Sequence, residues 1–150
     1  MNYSYKQLGA EDVQTLKQLL KVFGEAFSDM QAYQGHVPSE EYLRSLLRKS
    51  DFIVVVATSE DQVVGGLAAY VLEKFEQERR EIYIYDLAVH EQHRRRGIAT
   101  KLIDFLRHIA QERGAYVIYV QADKADEAAI KLYESMGTKE DVFHFDITPY

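Results

Sequence analysis

The stretch from Glu81 to Ala122 constrains the fold more than any other part of the chain. Glu81 to Val89 alternates and then turns apolar, as a strand entering a packed layer does. From Gly97 to Glu112 a helix shows Ile98, Leu102, Phe105, Leu106 and Ile109 on one face. Gly114 punctuates it, and Ala115 to Ala122 is a second apolar strand. Two strands joined through one helix lie parallel, with a right-handed crossover. The sheet therefore contains at least one parallel pair.

Elsewhere the signals are antiparallel. Phe52 to Ala57 and Val63 to Leu72 flank the polar turn Thr58-Ser59-Glu60-Asp61 and read as a hairpin. Asn2 to Leu8 alternates weakly through Tyr3 and Tyr5 and reads as an edge strand. A helix with Val13, Leu16, Leu19, Leu20 and Phe23 at helical spacing follows, ending near Gly24. Glu25 to Val37 is a partly irregular connection. Ser39 then caps a second helix, with Glu40 and Glu41 in its first turn and Tyr42, Leu43, Leu46 and Leu47 on its apolar side. A last helix from about Asp126 to Met136 carries Ala129, Leu132, Tyr133 and Met136 in phase and stops at Gly137. Val142 to Ile147 is expected to close the chain as a strand. The predicted class is α/β (α+β), a mixed sheet with flanking helices.

Composition narrows the function. A chain of 150 residues, 47% hydrophobic and 28% charged, fits one soluble globular domain over 1–150 and excludes a disordered chain. The absence of cysteine excludes thiol catalysis and Cys-based zinc sites. A net charge of −6 makes a poor nucleic-acid binder, because phosphate contacts need a basic surface. It suits a cationic small molecule better. Eleven tyrosines are spread among strands and helices and form no base-stacking stripe. Met1 to Lys6 lacks the apolar core of a signal peptide, and no apolar run approaches the roughly 20 residues that cross a bilayer. A cytoplasmic protein without membrane or nucleic-acid partners is expected, with a homodimer left open. His90-Glu91-Gln92-His93 falls one residue short of H-E-x-x-H and lies in a turn, so no metal is expected.

The chemistry concentrates at the strand end Asp86-Leu87-Ala88-Val89 and the loop Arg94-Arg95-Arg96-Gly97 that leads into Ile98-Ala99-Thr100. A helix start offers unpaired N–H groups and a positive dipole end to an anion. Gly97 and Ala99 let a diphosphate approach the backbone, and three arginines add charge. Neither G-x-x-x-x-G-K-[ST] nor G-x-G-x-x-G is present. Taken alone, the loop reads equally as a basic surface turn capping a helix.

Arg94-Arg95-Arg96-Gly97-Ile98-Ala99 matches the R/Q-x-x-G-x-G/A signature of the GCN5-related N-acetyltransferases. Downstream, Ala129-Ile130-Lys131-Leu132-Tyr133-Glu134-Ser135-Met136-Gly137 is similar to that family's A-I-x-L-Y-E-x-x-G segment. Nearly the whole chain resembles the type I aminoglycoside 3-N-acetyltransferases, the gentamicin acetyltransferases. That likeness runs through Phe23-Gly24, Phe27, Asp29, Tyr33, Ala68 to Leu72, Lys74 to Gln77, Glu81 to Val89, Gly114 to Asp123 and His144 to Ile147. The resemblance implies a mostly antiparallel sheet with a splayed parallel pair. It also implies acetyl transfer from acetyl-CoA to the 3-amino group of 2-deoxystreptamine, giving antibiotic resistance.

The same resemblance assigns residues. Leu87, Ala88 and Val89 would contact the cofactor's pantetheine through main chain, and Arg94, Arg95, Arg96, Gly97, Ile98, Ala99 and Thr100 its diphosphate. Asp126 stands where the family often carries an Asn that touches the cofactor arm. Tyr133 falls on the general-acid tyrosine, although a Tyr in phase with Leu132 and Met136 otherwise reads as core. Asp86, at the splay, is the leading base, and its plain alternative is a strand-end carboxylate bonded to nearby backbone. Asp29, Tyr85, Asp123 and Asp146 are expected acceptor contacts. From Asp123 to Tyr150 the chain has seven acids and three bases, which suits a cationic ligand. A polyamine acetyltransferase and a non-catalytic acyl-CoA-binding sensor are the rival readings.

Overall fold

The structure, a computed structural model, describes residues 2–150. Five strands form one sheet in the order β1 (Ser4–Gln7), β2 (Phe52–Ser59), β3 (Gln62–Glu73), β4 (Arg80–Val89) and β5 (Ala115–Val120). Neighbours from β1 to β4 are antiparallel, and β4 and β5 are parallel. The β2–β3 hairpin turns at Glu60 and Asp61, both at positive φ, as a tight two-residue turn requires. The helices are α1 (Val13–Ala26), α2 (Met30–Gln34), α3 (Glu40–Arg48), α4 (Ile98–Glu112) and α5 (Glu127–Met136).

Two apolar layers sandwich the sheet. On one face α4 buries Ile98, Leu102 and Leu106 against Ile53, Val55, Leu67, Ile82 and Ile84, and Leu132, Tyr133 and Met136 of α5 pack on the rim. On the other, α1 and α3 bury Leu16, Leu19, Phe23, Leu43 and Leu47 against Val54, Val56 and Ala88. That second layer reaches across β2 and β3 to Ala88 near the end of β4 and leaves Tyr85 on β4 and Tyr119 on β5 exposed. Among the described residues, no helix is long and apolar enough to cross a membrane.

Four expectations need correction. Helix α1 runs through Gly24 to Ala26, because this glycine is a contact and not a stop. A Cβ there would lie 2.8 Å from the Met30 sulfur and 3.2 Å from the Tyr33 Cβ. The connection after it contains α2, whose first turn is capped by Asp29 accepting from the Ala32 N–H at 3.2 Å. Tyr42 is exposed, since α3 turns only Leu43 and Leu47 fully inward. Val142 to Ile147 is not a strand: residues 138–150 form no regular element and all are exposed. An alternating segment becomes a strand only with an edge to pair to. This one makes no main-chain bond to the sheet.

Candidate active site

The parallel pair parts where the chemistry was expected. Pairing of β4 with β5 runs from Arg80 and Ala115 to Ile84 and Val120 and stops there, while β4 continues to Val89. A bulge marks the point: Ile84 faces Ala69 and Asp86 faces Ala68, so Tyr85 is an extra residue. Beyond it the direction of the main chain can be read by alternation. The His90 N–H donates to the Val64 carbonyl at 2.7 Å, so Leu87 and Val89 aim their main-chain groups away from β3, into the splay. The Val89 carbonyl already accepts from the Arg94 Nε at 3.0 Å.

The loop after β4 is braced by side chains and open along its backbone. Arg96 donates to the Tyr3 hydroxyl at 3.0 Å, and that hydroxyl lies 2.9 Å from the His93 Nδ1. Arg94 and Arg96 therefore fix the loop from β4 and from the segment leading into β1, and Arg95 is left exposed. Arg95 has φ 64° and Gly97 φ 76°, left-handed positions of the kind found in anion-binding turns. A Cβ at Gly97 would meet nothing within 4 Å. The space beside Gly97 at this helix start is open, so a group such as a diphosphate could approach the main chain there.

Gly97→Val should therefore act through conformation and not through a clash. A left-handed β-branched residue costs about 1–2 kcal/mol, which the loop escapes by leaving the geometry that binds. CoA affinity should fall about tenfold or more by calorimetry, with little change in thermal unfolding.

Asp86 sits half-buried just past the bulge. Its Oδ2 accepts from the Tyr33 hydroxyl at 2.9 Å, and burial pushes its carboxyl above the ordinary carboxylate range against the opposing pull of that bond. The Oδ1 is left for a substrate or water. Tyr33 itself is driven up by burial, then by its hydrogen bond to Asp86 and the charge there, so it stays a donor. Tyr33 arrives from α2 at 53 positions' remove, and no local pattern in the sequence gives it this role. Its position depends on the close α1–α2 approach at Gly24.

Around Asp86 the open face of the sheet carries a row of aromatic rings. Phe52, Tyr70, Tyr83 and Tyr119 are successive cross-strand partners from β2 to β5. Tyr83 and Tyr119 stack at 4.8 Å, and Tyr85, 62% exposed, meets both Tyr70 and Tyr83 edge-on. The tyrosines that the sequence showed as scattered thus converge through register. Beside the loop, Val22, Glu25, Ala26, His90, Glu91 and Arg94 line a depression of about 220 Å³.

The other expected residues are dispersed. Tyr133, half-buried on α5, packs against the α4 side of the core; burial, then the Asp126 charge, pushes its hydroxyl up to about 12. Asp126 caps α5, accepting from the Ala129 N–H at 3.1 Å, which commits one carboxylate oxygen to the fold. Asp29 is similarly committed to α2. Asp123 is exposed, and its carbonyl accepts from the Asp126 N–H. Asp146 stands in the exposed tail, 2.9 Å from the His144 Nε2. His90 lies 3.6 Å from Glu25, and among the described residues no cluster of three or more His, Asp or Glu could hold a metal.

A mostly antiparallel sheet whose one parallel pair parts beyond a bulge, followed by a glycine-led helix start, is the architecture of an acetyltransferase fold. The acetyltransferase (GNAT) family model matches residues 16–138. The chain belongs to that family. An aminoglycoside acetyltransferase from an uncultured soil metagenomic sample, HMB0005, is 53% identical, with all of both chains covered and a TM-score of 0.98. A second soil metagenomic aminoglycoside acetyltransferase, meta-AAC0020, was solved in complex with sisomicin. It is 35% identical over 99% of this chain and 97% of its own, with a TM-score of 0.91. The rat N-acetyltransferase family 8 member 2 is 31% identical over 60% of this chain and 40% of its own length. The chain thus spans about two fifths of the length of the curated relatives it matches.

Proposed function

We propose that the protein transfers an acetyl group from acetyl-CoA to an amine of an aminoglycoside, at the 3-amino group of the 2-deoxystreptamine ring, and so confers resistance. The observation that carries this reading is Asp86: a half-buried carboxylate with one free oxygen, at the splay, on an open face. The substrate class is supported by the two soil enzymes, both aminoglycoside acetyltransferases, one of them in complex with sisomicin. The whole of residues 1–150 acts as one catalytic domain.

The residues divide the work. The backbone of Arg95 to Thr100 holds the cofactor's diphosphate, and the Leu87 and Val89 main-chain groups hold the pantetheine and the acetyl carbonyl. Acetyl-CoA supplies the acetyl group as a thioester and leaves as the thiol. Asp86 attracts the substrate ammonium through Oδ1 and takes its proton, leaving a neutral amine to attack. Tyr33 fixes the carboxylate's orientation and favours its charged form. Tyr133 donates to the departing sulfur. Tyr85, Tyr83 and Tyr119 offer ring faces to the sugars, while Asp29, Asp123 and Asp146 supply negative charge around the acceptor.

Steady-state acetylation of gentamicin, kanamycin and spermidine tests the reading. The aminoglycosides should exceed spermidine in kcat/KM by at least tenfold, and NMR of the product should show the acetyl group on the 3-amino nitrogen. Spermidine in the lead would make this a polyamine acetyltransferase. CoA binding without turnover of any amine would make it a sensor.

A further inference from the structure

One hydroxyl ties the loop that leads into α4 to a residue far earlier in the sequence. Tyr3, just before β1, packs half-buried against the α4 side of the core, and its oxygen reaches partners 90 and 93 positions away. Arg96 donates to it at 3.0 Å, and the His93 Nδ1 stands 2.9 Å off. The Tyr3 and His93 rings meet edge-on at 5.7 Å. His93 is itself held in a single turn, its N–H donating to the His90 carbonyl at 2.8 Å. Arg96 immediately precedes Gly97, the left-handed residue at the helix start. Whatever holds Arg96 therefore holds the turn that a diphosphate would approach.

A guanidinium only donates, so the Tyr3 oxygen accepts from Arg96. The hydroxyl's own hydrogen suits the His93 Nδ1, which accepts it only while that nitrogen carries no proton. The chain then runs from Arg96 through Tyr3 to His93, with each donor facing an acceptor. The surroundings favour a neutral ring. Burial, then Arg96 and His90, hold the His93 imidazole below its ordinary range. The titratable and charged groups that face it are Tyr3 from the segment before β1, Arg96 from the loop and His90 from the end of β4, whose ring is 6.2 Å away. Glu25 of α1 stands 3.6 Å from His90.

We propose that Tyr3 and His93 are positioning residues for the cofactor loop, and that the loop is set for CoA only while His93 is neutral. A proton on Nδ1 turns the acceptor into a donor. The Tyr3 oxygen then faces two cationic donors, Arg96 and the imidazolium, which also repel one another. The brace opens, and the turn at Gly97 loses its support. This rests on the acetyltransferase reading above and adds a regulation to it: cofactor affinity falls on acidification. The sign is distinctive. A ring that must be neutral for binding gives up its proton when the ligand binds, so binding releases protons and weakens as pH falls. An imidazolium that touched the phosphates directly would do the opposite.

Calorimetry with dephospho-CoA tests this. The probe keeps the diphosphate and lacks the phosphate monoester of CoA, whose own titration near ~6 would mask that of the protein. Wild-type affinity should weaken by about threefold between about pH 8 and about pH 5.5. Near the lower pH, buffers of different ionisation enthalpy should reveal a fraction of a proton released for each ligand bound. His93→Asn places an amide oxygen near the Nδ1 position, where it accepts at every pH and titrates at none. That variant should bind within about twofold of wild type at about pH 8 and lose the proton release. Tyr3→Phe keeps the packed ring and removes the hydroxyl. It should bind about three- to tenfold more weakly at about pH 8, with little change in thermal unfolding. Wild-type affinity in Tyr3→Phe, wild-type proton release in His93→Asn, or proton uptake in place of release overturns the brace. A wild type that binds the probe and exchanges no proton also overturns it, and leaves the acetyltransferase reading standing. Failure to bind CoA and dephospho-CoA at every pH sinks that reading and the brace together.

Discussion

Asp86→Asn should lower kcat/KM for the aminoglycoside by about 10²–10⁴-fold, the range of a general base, with kcat falling as well. Asparagine keeps the shape and still accepts from Tyr33, so the loss isolates the charge and the proton acceptor. Stability should move the other way. Burial lifts the Asp86 carboxyl above its unfolded value, with the Tyr33 bond opposing. A carboxyl lifted on folding supports the fold below its unfolded titration and loses that support as pH rises through the folded value. At neutral pH the wild type therefore bears a buried carboxylate that the variant lacks. The variant should unfold at a higher temperature near pH 7.5, with the difference shrinking as pH falls through the carboxylate range. Lost activity with raised stability is the signature of a functional buried charge. An equally active variant would move the base to a water chain or Tyr85.

Tyr33 refines that test. Tyr33→Phe removes a donor that favours the charged carboxylate, so the acid limb of the kcat/KM profile should shift to higher pH. A merely structural tyrosine would lower stability and leave the limb in place.

Most of the fold was legible because local pattern and topology agree in it. The crossover from β4 through α4 to β5 follows from two periodicities and a handedness rule. The β2–β3 hairpin follows from its polar turn. Failures came where a residue answers to a distant surface. Gly24 has the look of a helix stop and is a contact made by α2. Tyr42 is in phase on α3 but faces water, since nothing packs over that side of the helix. The final strand failed for a related reason: Val142 to Ile147 has a strand's alternation, yet a strand is a property of two segments. The site divides along the same line. The proposed cofactor loop is contiguous, so Arg94 to Thr100 could be singled out from the sequence as a candidate, with the family resemblance deciding between it and a basic surface turn. The Tyr33–Asp86 bond and the aromatic row from Phe52 to Tyr119 exist only through packing and register.

Tyr133→Phe should lower kcat by about 10²-fold, toward the lower end of what general acids contribute, and leave CoA affinity nearly unchanged. The magnitude follows from the hydroxyl's environment. Burial on α5, and then the Asp126 charge, push it up to about 12, so it remains protonated throughout the working range. A cysteine-like thiol titrates near ~8.5, so complete transfer from such a phenol to a thiolate runs uphill. In the proposed role Tyr133 therefore helps mainly by hydrogen bonding to the charge developing on sulfur, and the proton that completes the thiol comes from the attacking amine nitrogen. Two further consequences separate this role from packing. The basic limb of the kcat profile should be the same in variant and wild type, since Tyr133 loses no proton there. Thermal stability should hold, because phenylalanine fills the same half-buried place against the α4 layer. A variant with kcat within threefold of wild type and a lowered Tm would return Tyr133 to the rim of the core, beside Leu132 and Met136.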